Sequence, residues 1–119
     1  MGNPFCYMEL TTSNLPGAKD FYSKMFDWQL EEFAGAGQPY FMVNTGSEPA
    51  GGMMGLPMPQ VPTTWCVYIL VDDLDSAVAK LEKLGGKVLK ERTEVPEYGW
   101  FVIASDPQGA FFGLWQAKM

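Results

Sequence analysis

Two stretches of sequence decide the fold: LTTSNLPGAKDFYSKMFDWQL (residues 10–30) and LVDDLDSAVAKLEKLGGKVL (residues 70–89). They align when the chain is shifted against itself by about sixty residues, as in an internal repeat. A second match, GGMMGL at residues 51–56 with GAFFGL at residues 109–114, lies near the end of each half. Each half is too small to bury its apolar face alone, so two such units must pack together or pair with another chain. The repeat therefore predicts a ligand site on the concave surface between the halves.

The composition indicates one globular domain and argues against several classes of partner. The chain has 119 residues, 47% of them hydrophobic, and a net charge of −6. Nucleic acid and anionic membrane surfaces both call for a basic footprint, so neither is an expected partner. No apolar run approaches the ~20 residues that span a bilayer, and no secretion signal is visible. Since two cysteines do not make a disulfide framework, we expect a cytoplasmic protein with reduced thiols.

In the first half, the hydrophobic pattern predicts a strand, a helix and three further strands. Alternation in the first strand places Tyr7 and Glu9 on one face. Ser13 or Asn14 can cap the helix that follows. The predicted strands are residues 5–11, 28–33, 40–44 and 50–56, with turns at Gly35, Gly37 and Gly46.

The second half repeats this order after a linker with three prolines. Asp72 or Asp73 caps its helix, and the pair Gly85-Gly86 ends it. The predicted strands are residues 65–71, 87–91, 100–105 and 110–116. The chain thus reads as a single α+β domain over residues 1–119, with module one at 4–56, the linker at 57–64 and module two at 65–117. Each module is expected to hold one helix beside a mostly antiparallel four-stranded sheet.

Three strings at these positions resemble the vicinal oxygen chelate superfamily, which includes glyoxalase I, extradiol dioxygenases and the fosfomycin- and bleomycin-resistance proteins. They are NLPGAKDFYSKMFDW (14–28), VDDLDSAVAKLEKLGG (71–86) and, most specifically, DPQGAFFGLWQ (106–116). The resemblance implies two tandem βαβββ modules whose curved mixed sheets surround a cleft. It also implies a small-molecule ligand and a homodimer that helps to complete the cleft.

The resemblance further implies four metal ligands, His or Glu, on the first and last strand of each module. The corresponding positions here are Tyr7, Gly55, Cys66 and Gly113. The chain has no histidine, and glycine has no side chain to donate. Zn²⁺, Ni²⁺ and Fe²⁺ sites of this kind need imidazole nitrogen and carboxylate oxygen. We therefore expect a cleft that binds no metal and no other cofactor.

Glu9 is the candidate catalytic residue. If its strand face lines the cleft, desolvation would raise the pKa of the carboxyl group, which could then act as a general base or acid. The alternative is a carboxylate at the cleft rim or one paired with Lys or Arg. Cys66 would need an activating base to become a nucleophile, so a buried thiol is the expected state.

The other ligand-binding candidates are aromatic residues or glycines. The aromatic side chains could stack on a flat or cationic ligand, although each could instead be core. The glycines would leave room where relatives carry a metal ligand. The full predicted set is Tyr7, Glu9, Gly55, Cys66, Tyr68, Trp100, Gly113 and Trp115.

Three functions fit this pattern. The first is a metal-independent protein, akin to the bleomycin-resistance branch, that binds an aromatic or cationic small molecule in a dimer cleft. The second is a lyase, isomerase or dioxygenase whose non-standard site uses Glu9. The third is an interaction module that presents Trp100 and Trp115 to another protein.

Overall fold

The computed structural model describes residues 2–33, 39–47 and 51–118, and within them it contains a βαβββ sequence in each half. The expected α+β class is confirmed. The turn predicted at Gly35 and Gly37 lies outside the described residues. The elements are β1 (Phe5–Thr12), α1 (Leu15–Met25), β2 (Gln29–Glu32), β3 (Tyr40–Asn44), β4 (Gly51–Gly55), β5 (Thr64–Leu70), α2 (Leu74–Lys83), β6 (Lys87–Val95), β7 (Gly99–Ser105) and β8 (Phe111–Ala117).

The chain forms two compact units, which we call the first unit (residues 7–66) and the second unit (residues 1–6 and 67–119). Their boundaries fall inside β1 and β5, whereas the sequence suggests a joint at residues 57–64. Hydrogen bonds explain the difference. In the second unit the amide of Leu70 donates to the carbonyl oxygen of Pro4 at 2.9 Å. In the first unit the hydroxyl of Thr11 donates to the carbonyl oxygen of Pro62 at 2.8 Å.

Local capping interactions set where each helix begins. The side chain of Asn14 accepts a hydrogen bond from the amide of Gly17 at 3.0 Å, and Pro16 lies in the first turn, where its missing N–H costs nothing. Asp73 caps α2 by accepting from the amide of Asp75. Of the alternatives that the sequence leaves open, Asn14 and Asp73 are therefore the caps. Among the described residues, neither helix is long and apolar enough to cross a membrane.

The first unit has a mixed sheet in the order β2-β3-β4-β1, with β1 parallel to β4 and the other pairs antiparallel. The expected mostly antiparallel sheet thus contains one parallel pair. Its register aligns Glu9 with Gly52 and Gly52 with Met42, so these three residues share a face. The alternate residues form the core under α1. The buried members of that core are Leu10, Leu15, Val43 and Met53.

The second unit repeats this topology in the order β5-β8-β7-β6, again with one parallel pair, β5 with β8. One sheet face packs under α2, where the buried residues are Leu74, Val102, Ala104 and Leu114. The opposite face carries Tyr68 aligned with Gly113. Each helix therefore covers one face of its own sheet and leaves the other face for side chains that the helix does not contact.

Leu74 should contribute much of the stability of the second unit, because it is fully buried at the start of α2. We expect Leu74→Ala to lower the free energy of unfolding by about 2–5 kcal/mol through lost burial and the cavity left behind. Urea denaturation followed by circular dichroism measures the change. Leu84→Ala is the matched control, because Leu84 is 69% exposed, and it should change stability by less than about 0.5 kcal/mol. Equal effects of the two substitutions would contradict this packing.

Candidate functional site

The candidate site lies on the face of the first unit's sheet that is turned away from α1. Three strands build it: β1 supplies Tyr7 and Glu9, β3 supplies Tyr40, and β4 supplies Gly52. Because side chains alternate along a strand, the neighbouring residues Leu10, Phe41 and Met53 point to the α1 core instead. The predicted pairing of Tyr7 and Glu9 on one face agrees with the observed register.

A chain of short hydrogen bonds joins the polar groups of the site. The hydroxyl of Tyr40 donates to Oε2 of Glu9 at 2.7 Å. The hydroxyl oxygens of Tyr40 and Tyr7 are 2.6 Å apart. Glu9 is only 6% exposed, so the carboxylate reaches this chain inside the protein. The carboxyl group of Glu9 lies at one end of this chain, next to the hydroxyl of Tyr40.

Gly52 makes this hydrogen-bond chain possible. A Cβ atom at position 52 would meet the hydroxyl oxygens of both Tyr40 and Tyr7 at distances that real side chains do not show. The two phenols therefore lie directly over the backbone of β4. Glycine is required here because of a close approach, not because of an unusual backbone angle.

The buried surroundings keep the neutral groups of the site protonated. Burial raises the pKa of Tyr7 to about 12, and the charge of Glu9 adds to the effect, while the hydrogen bond with Tyr40 opposes it. The pKa of Tyr40 is raised strongly by burial and then by Glu9 and Tyr7. Burial, followed by the charge of Glu9, raises the pKa of Cys66 to about 12. At neutral pH these groups are phenols and a thiol.

Gly55 does not take the position that the sequence repeat suggests. The register aligns Gly55 with Thr12, on the side of the sheet that faces α1, whereas Gly52 aligns with Glu9. In the second unit, Gly113 aligns with Tyr68, the residue that matches Glu9 in the repeat. Gly113 thus corresponds to Gly52, and the alignment of GGMMGL with GAFFGL is shifted by three residues at this strand.

Apart from Cys66, which lies on β5 at the end of the first unit, the remaining predicted residues lie in the second unit, on two different faces. Tyr68, Gly113 and Trp115 share the face turned away from α2, where the ring of Tyr68 occupies the space over Gly113. The ring of Phe101 meets Tyr68 edge to face, with 6.1 Å between the centroids.

Trp100 lies on the opposite face, because the register aligns Trp115 with Phe101 rather than with Trp100. Trp100 packs against the core under α2. Its ring also meets the charged groups of Arg92 and Lys118, at 4.9 and 5.2 Å from the centroid. The two tryptophans therefore lie on opposite faces of the second unit's sheet, and Trp100 has the core position that the sequence analysis left open.

The residues at the four mapped positions do not fit a divalent metal. Tyr7 and Cys66 are held in their protonated forms, which are poor ligands. Gly55 and Gly113 offer no side chain, and Glu9 already accepts a hydrogen bond from Tyr40. Among residues 2–33, 39–47 and 51–118, no three His, Cys, Asp or Glu side chains cluster as metal ligands would.

Sequence reasoning missed Tyr40 and Gly52. Both lie on predicted strands, but the pairing of β3 and β4 with β1 is a long-range register that the local pattern does not contain. One signal was available, since the double glycine at residues 51–52 breaks an otherwise apolar strand. Glycine in a strand interior often marks a close approach.

Comparison with known proteins identifies the family of this chain. Residues 5–114 match the Glyoxalase/Bleomycin resistance protein/Dioxygenase superfamily. The chain belongs to this superfamily. The resemblance drawn from the three strings is thus confirmed.

Two kinds of relative agree with this assignment. The chain is 46% identical over 79 residues to CFP32 of Mycobacterium bovis and of Mycobacterium tuberculosis, which bear the provisional name glyoxylase. The match covers 66% of this chain but only 30% of those proteins.

The hypothetical protein BH1468 of Bacillus halodurans superposes with a TM-score of 0.70 at 11% identity, covering 100% of this chain and 97% of that one. A superfamily member from Vibrio splendidus gives 0.65 at 10% identity, covering 92% and 96%. These structures show a shared fold.

Gly52→Ala should displace both phenols from the site. The new methyl group would collide with Tyr40 and Tyr7, so we expect a loss of about 1–3 kcal/mol in the free energy of unfolding. Gly55→Ala is the matched control on the same strand, because the nearest atom to its Cβ would be the Thr12 carbonyl oxygen at 4.0 Å. Urea denaturation of both variants tests the difference. A Gly52→Ala protein as stable as Gly55→Ala would contradict the observed close approach.

Alkaline pH should destabilise the protein through the buried phenol of Tyr7. Its pKa is raised from 10.0 to about 12, so the folded state favours the neutral form. The stability that Tyr7 contributes is fully present below pH 10 and is lost as the pH rises through about 12. Tyr7→Phe should therefore make the fall in stability shallower over this window. Tyr98→Phe is the control, since Tyr98 is 58% exposed. If the free energy of unfolding of Tyr7→Phe falls with pH as steeply as that of wild type, Tyr7 does not contribute to the loss of stability.

Proposed function

We propose that this protein binds an aromatic or cationic small molecule without a metal, at the sheet face that carries Tyr7, Glu9 and Tyr40. One observation carries the proposal: a carboxylate that is 6% exposed accepts a hydrogen bond from a phenol at 2.7 Å. A carboxyl group beside aromatic rings suits a flat ligand that carries a positive charge.

The chemistry of the site supports a binding mode without metal. A divalent ion would have to compete with protons on Tyr7 and Cys66, whose pKa values are both raised to about 12. A cationic organic guest needs no such deprotonation. The net charge of −6 would also raise the local concentration of cations. The homodimer and the cytoplasmic location expected from the sequence remain part of this proposal, and light scattering on the purified protein tests the dimer.

An enzyme that uses Glu9 as a proton acceptor is the second candidate. The hydrogen-bond chain favours it, since Tyr7 and Tyr40 could pass a proton to a carboxylate that a substrate does not reach. The provisional name of CFP32 points the same way for the segment that the two proteins share. Loss of turnover in Glu9→Gln with unchanged substrate binding would favour this candidate over simple binding.

Calorimetry against bleomycin and a panel of aromatic amines tests the proposal. We expect at least one aromatic cation to bind with an affinity that excess EDTA does not change. Glu9→Gln should weaken that binding about tenfold or more, because the acidic group beside the aromatic rings is lost. Glu32→Gln is the control, since Glu32 is an exposed carboxylate aligned with Phe41 on the α1 side.

Two outcomes would contradict the proposal. One is a Glu9→Gln protein that binds every cation as wild type does. The other is stoichiometric Zn, Ni, Fe or Mn in elemental analysis of the purified protein, together with binding that EDTA abolishes.

A further inference from the structure

A cavity of about 410 Å³ lies in the first unit, lined by strands β2 and β3 and by the turn that follows β3. This volume lies within the range of about 300–1,000 Å³ that small-molecule sites occupy. The turn is held by its own side chains, because Oδ1 of Asn44 accepts a hydrogen bond from the amide of Gly46 at 2.9 Å. Gly46 has a φ of 102°, which a glycine adopts without strain. One wall of the cavity is therefore fixed by local hydrogen bonding.

The strand register places this cavity on the same sheet face as Tyr7 and Glu9. Glu31, which lines the cavity, aligns with Met42 on β3. Met42 aligns with Gly52, and Gly52 aligns with Glu9, so one row of residues crosses all four strands on one face. Met42 also contacts both regions, because it lines the cavity and its sulfur is 3.9 Å from the hydroxyl oxygen of Tyr7. The cavity is thus continuous with the candidate site.

Glu31 is the acidic residue among those that line the cavity. It is exposed, and the ion pairs in the described part of the chain all join other residues. Neighbouring strands are 4.7–4.9 Å apart, so Glu31 on β2 lies about 10 Å from the backbone of β4 under the two phenols. The other polar side chains of the lining are amides and hydroxyls, whose oxygens can accept hydrogen bonds: Gln29, Asn44, Thr45 and Ser47.

We infer that this cavity is a second subsite, which receives the distal ammonium group of an elongated ligand whose aromatic part lies against Tyr7 and Tyr40. Glu31 is the specificity-determining residue of the subsite, because an ammonium group there meets an acidic side chain and several oxygen acceptors. The inference rests on the proposed binding function and adds a second positive charge to its ligand class. The ligand is then an aryl-substituted diamine rather than an aromatic monoamine.

Two probes with the same aromatic head and the same spacer test the inference: N-(1-naphthylmethyl)-1,8-diaminooctane and 8-(1-naphthylmethylamino)octan-1-ol. They differ only in the distal group, which is an ammonium in the first and a hydroxyl in the second. Calorimetry on the wild-type protein should show the diamine binding about three- to fivefold more tightly than the alcohol, as expected for one exposed ion pair.

Glu31→Gln should bring this preference close to unity, while the affinity for the alcohol stays the same. Glu32→Gln is the matched control and should keep the wild-type preference. Glu32 is the next residue of β2 and is also exposed, but it aligns with Phe41 on the α1 side of the sheet. Thermal melts confirm that both variants are folded, and the comparison of the two probes on wild type needs no variant.

The outcomes separate this inference from the proposed function. Equal binding of the two probes by wild type, or an unchanged preference in Glu31→Gln, overturns the second subsite and leaves the binding function standing. Loss of the preference in Glu32→Gln as well as in Glu31→Gln also overturns it, because the effect is then one of net charge. No binding of either probe contradicts the cationic aromatic ligand class itself, and this inference with it.

Discussion

The hydrogen bond from Tyr40 to Glu9 is the interaction on which the candidate site depends. A carboxylate with 6% exposure is stable only if its oxygens have partners, because an unpaired buried charge costs several kcal/mol. Tyr40 can reach Glu9 only across β4, and only because residue 52 has no side chain. The parallel pairing of β1 with β4 brings Glu9 and Gly52 side by side. The missing Cβ atom of Gly52 and the pairing of Gly52 with Glu9 thus allow Glu9 to be buried.

The two units show how one backbone plan produces two different environments. In the second unit, Tyr68 stands where Glu9 stands in the first, and Gly113 replaces Gly52 beside it. The ring of Tyr68 covers the glycine and meets Phe101 edge to face. In both units a glycine admits aromatic groups over the sheet. Only the first unit places an acid at this position, where it joins the two phenols in one hydrogen-bonded cluster.

The sequence predicts the parts of this structure that depend on neighbours in the chain. Helix caps are local, and each observed cap, Asn14 and Asp73, is one of two adjacent candidates. The side-by-side placement of Tyr7 and Glu9 follows from alternation within one strand. Contacts between strands depend instead on residues that are far apart in the sequence. The contact of Tyr40 with Glu9 spans 31 residues, and its register depends on which side chains fill the sheet face.

The same reason explains the predictions that the register corrects. Matching the letters of GGMMGL to those of GAFFGL pairs Gly55 with Gly113. In the structure Gly113 corresponds to Gly52 instead, three residues away. A shift by an odd number of residues moves a strand position to the other face of the sheet. Trp100 and Trp115 lie on separate strands, and no local pattern says whether they share a face. The sequence also allows the aromatic residues of the second unit to be core residues. Trp100 does pack against the core under α2.

The position of Glu9 is itself an argument for function. The second unit shows that this fold accepts an aromatic residue at the equivalent position, so the sheet does not need an acid there. A buried carboxylate is costly, and replacing buried ionic groups by well-packed apolar ones is often neutral or stabilising. Departures from the rules of stable folding are expected where a protein binds or reacts. A carboxyl group that the fold can do without, held in place by a hydrogen bond from Tyr40, fits a group placed for a ligand better than one placed for stability.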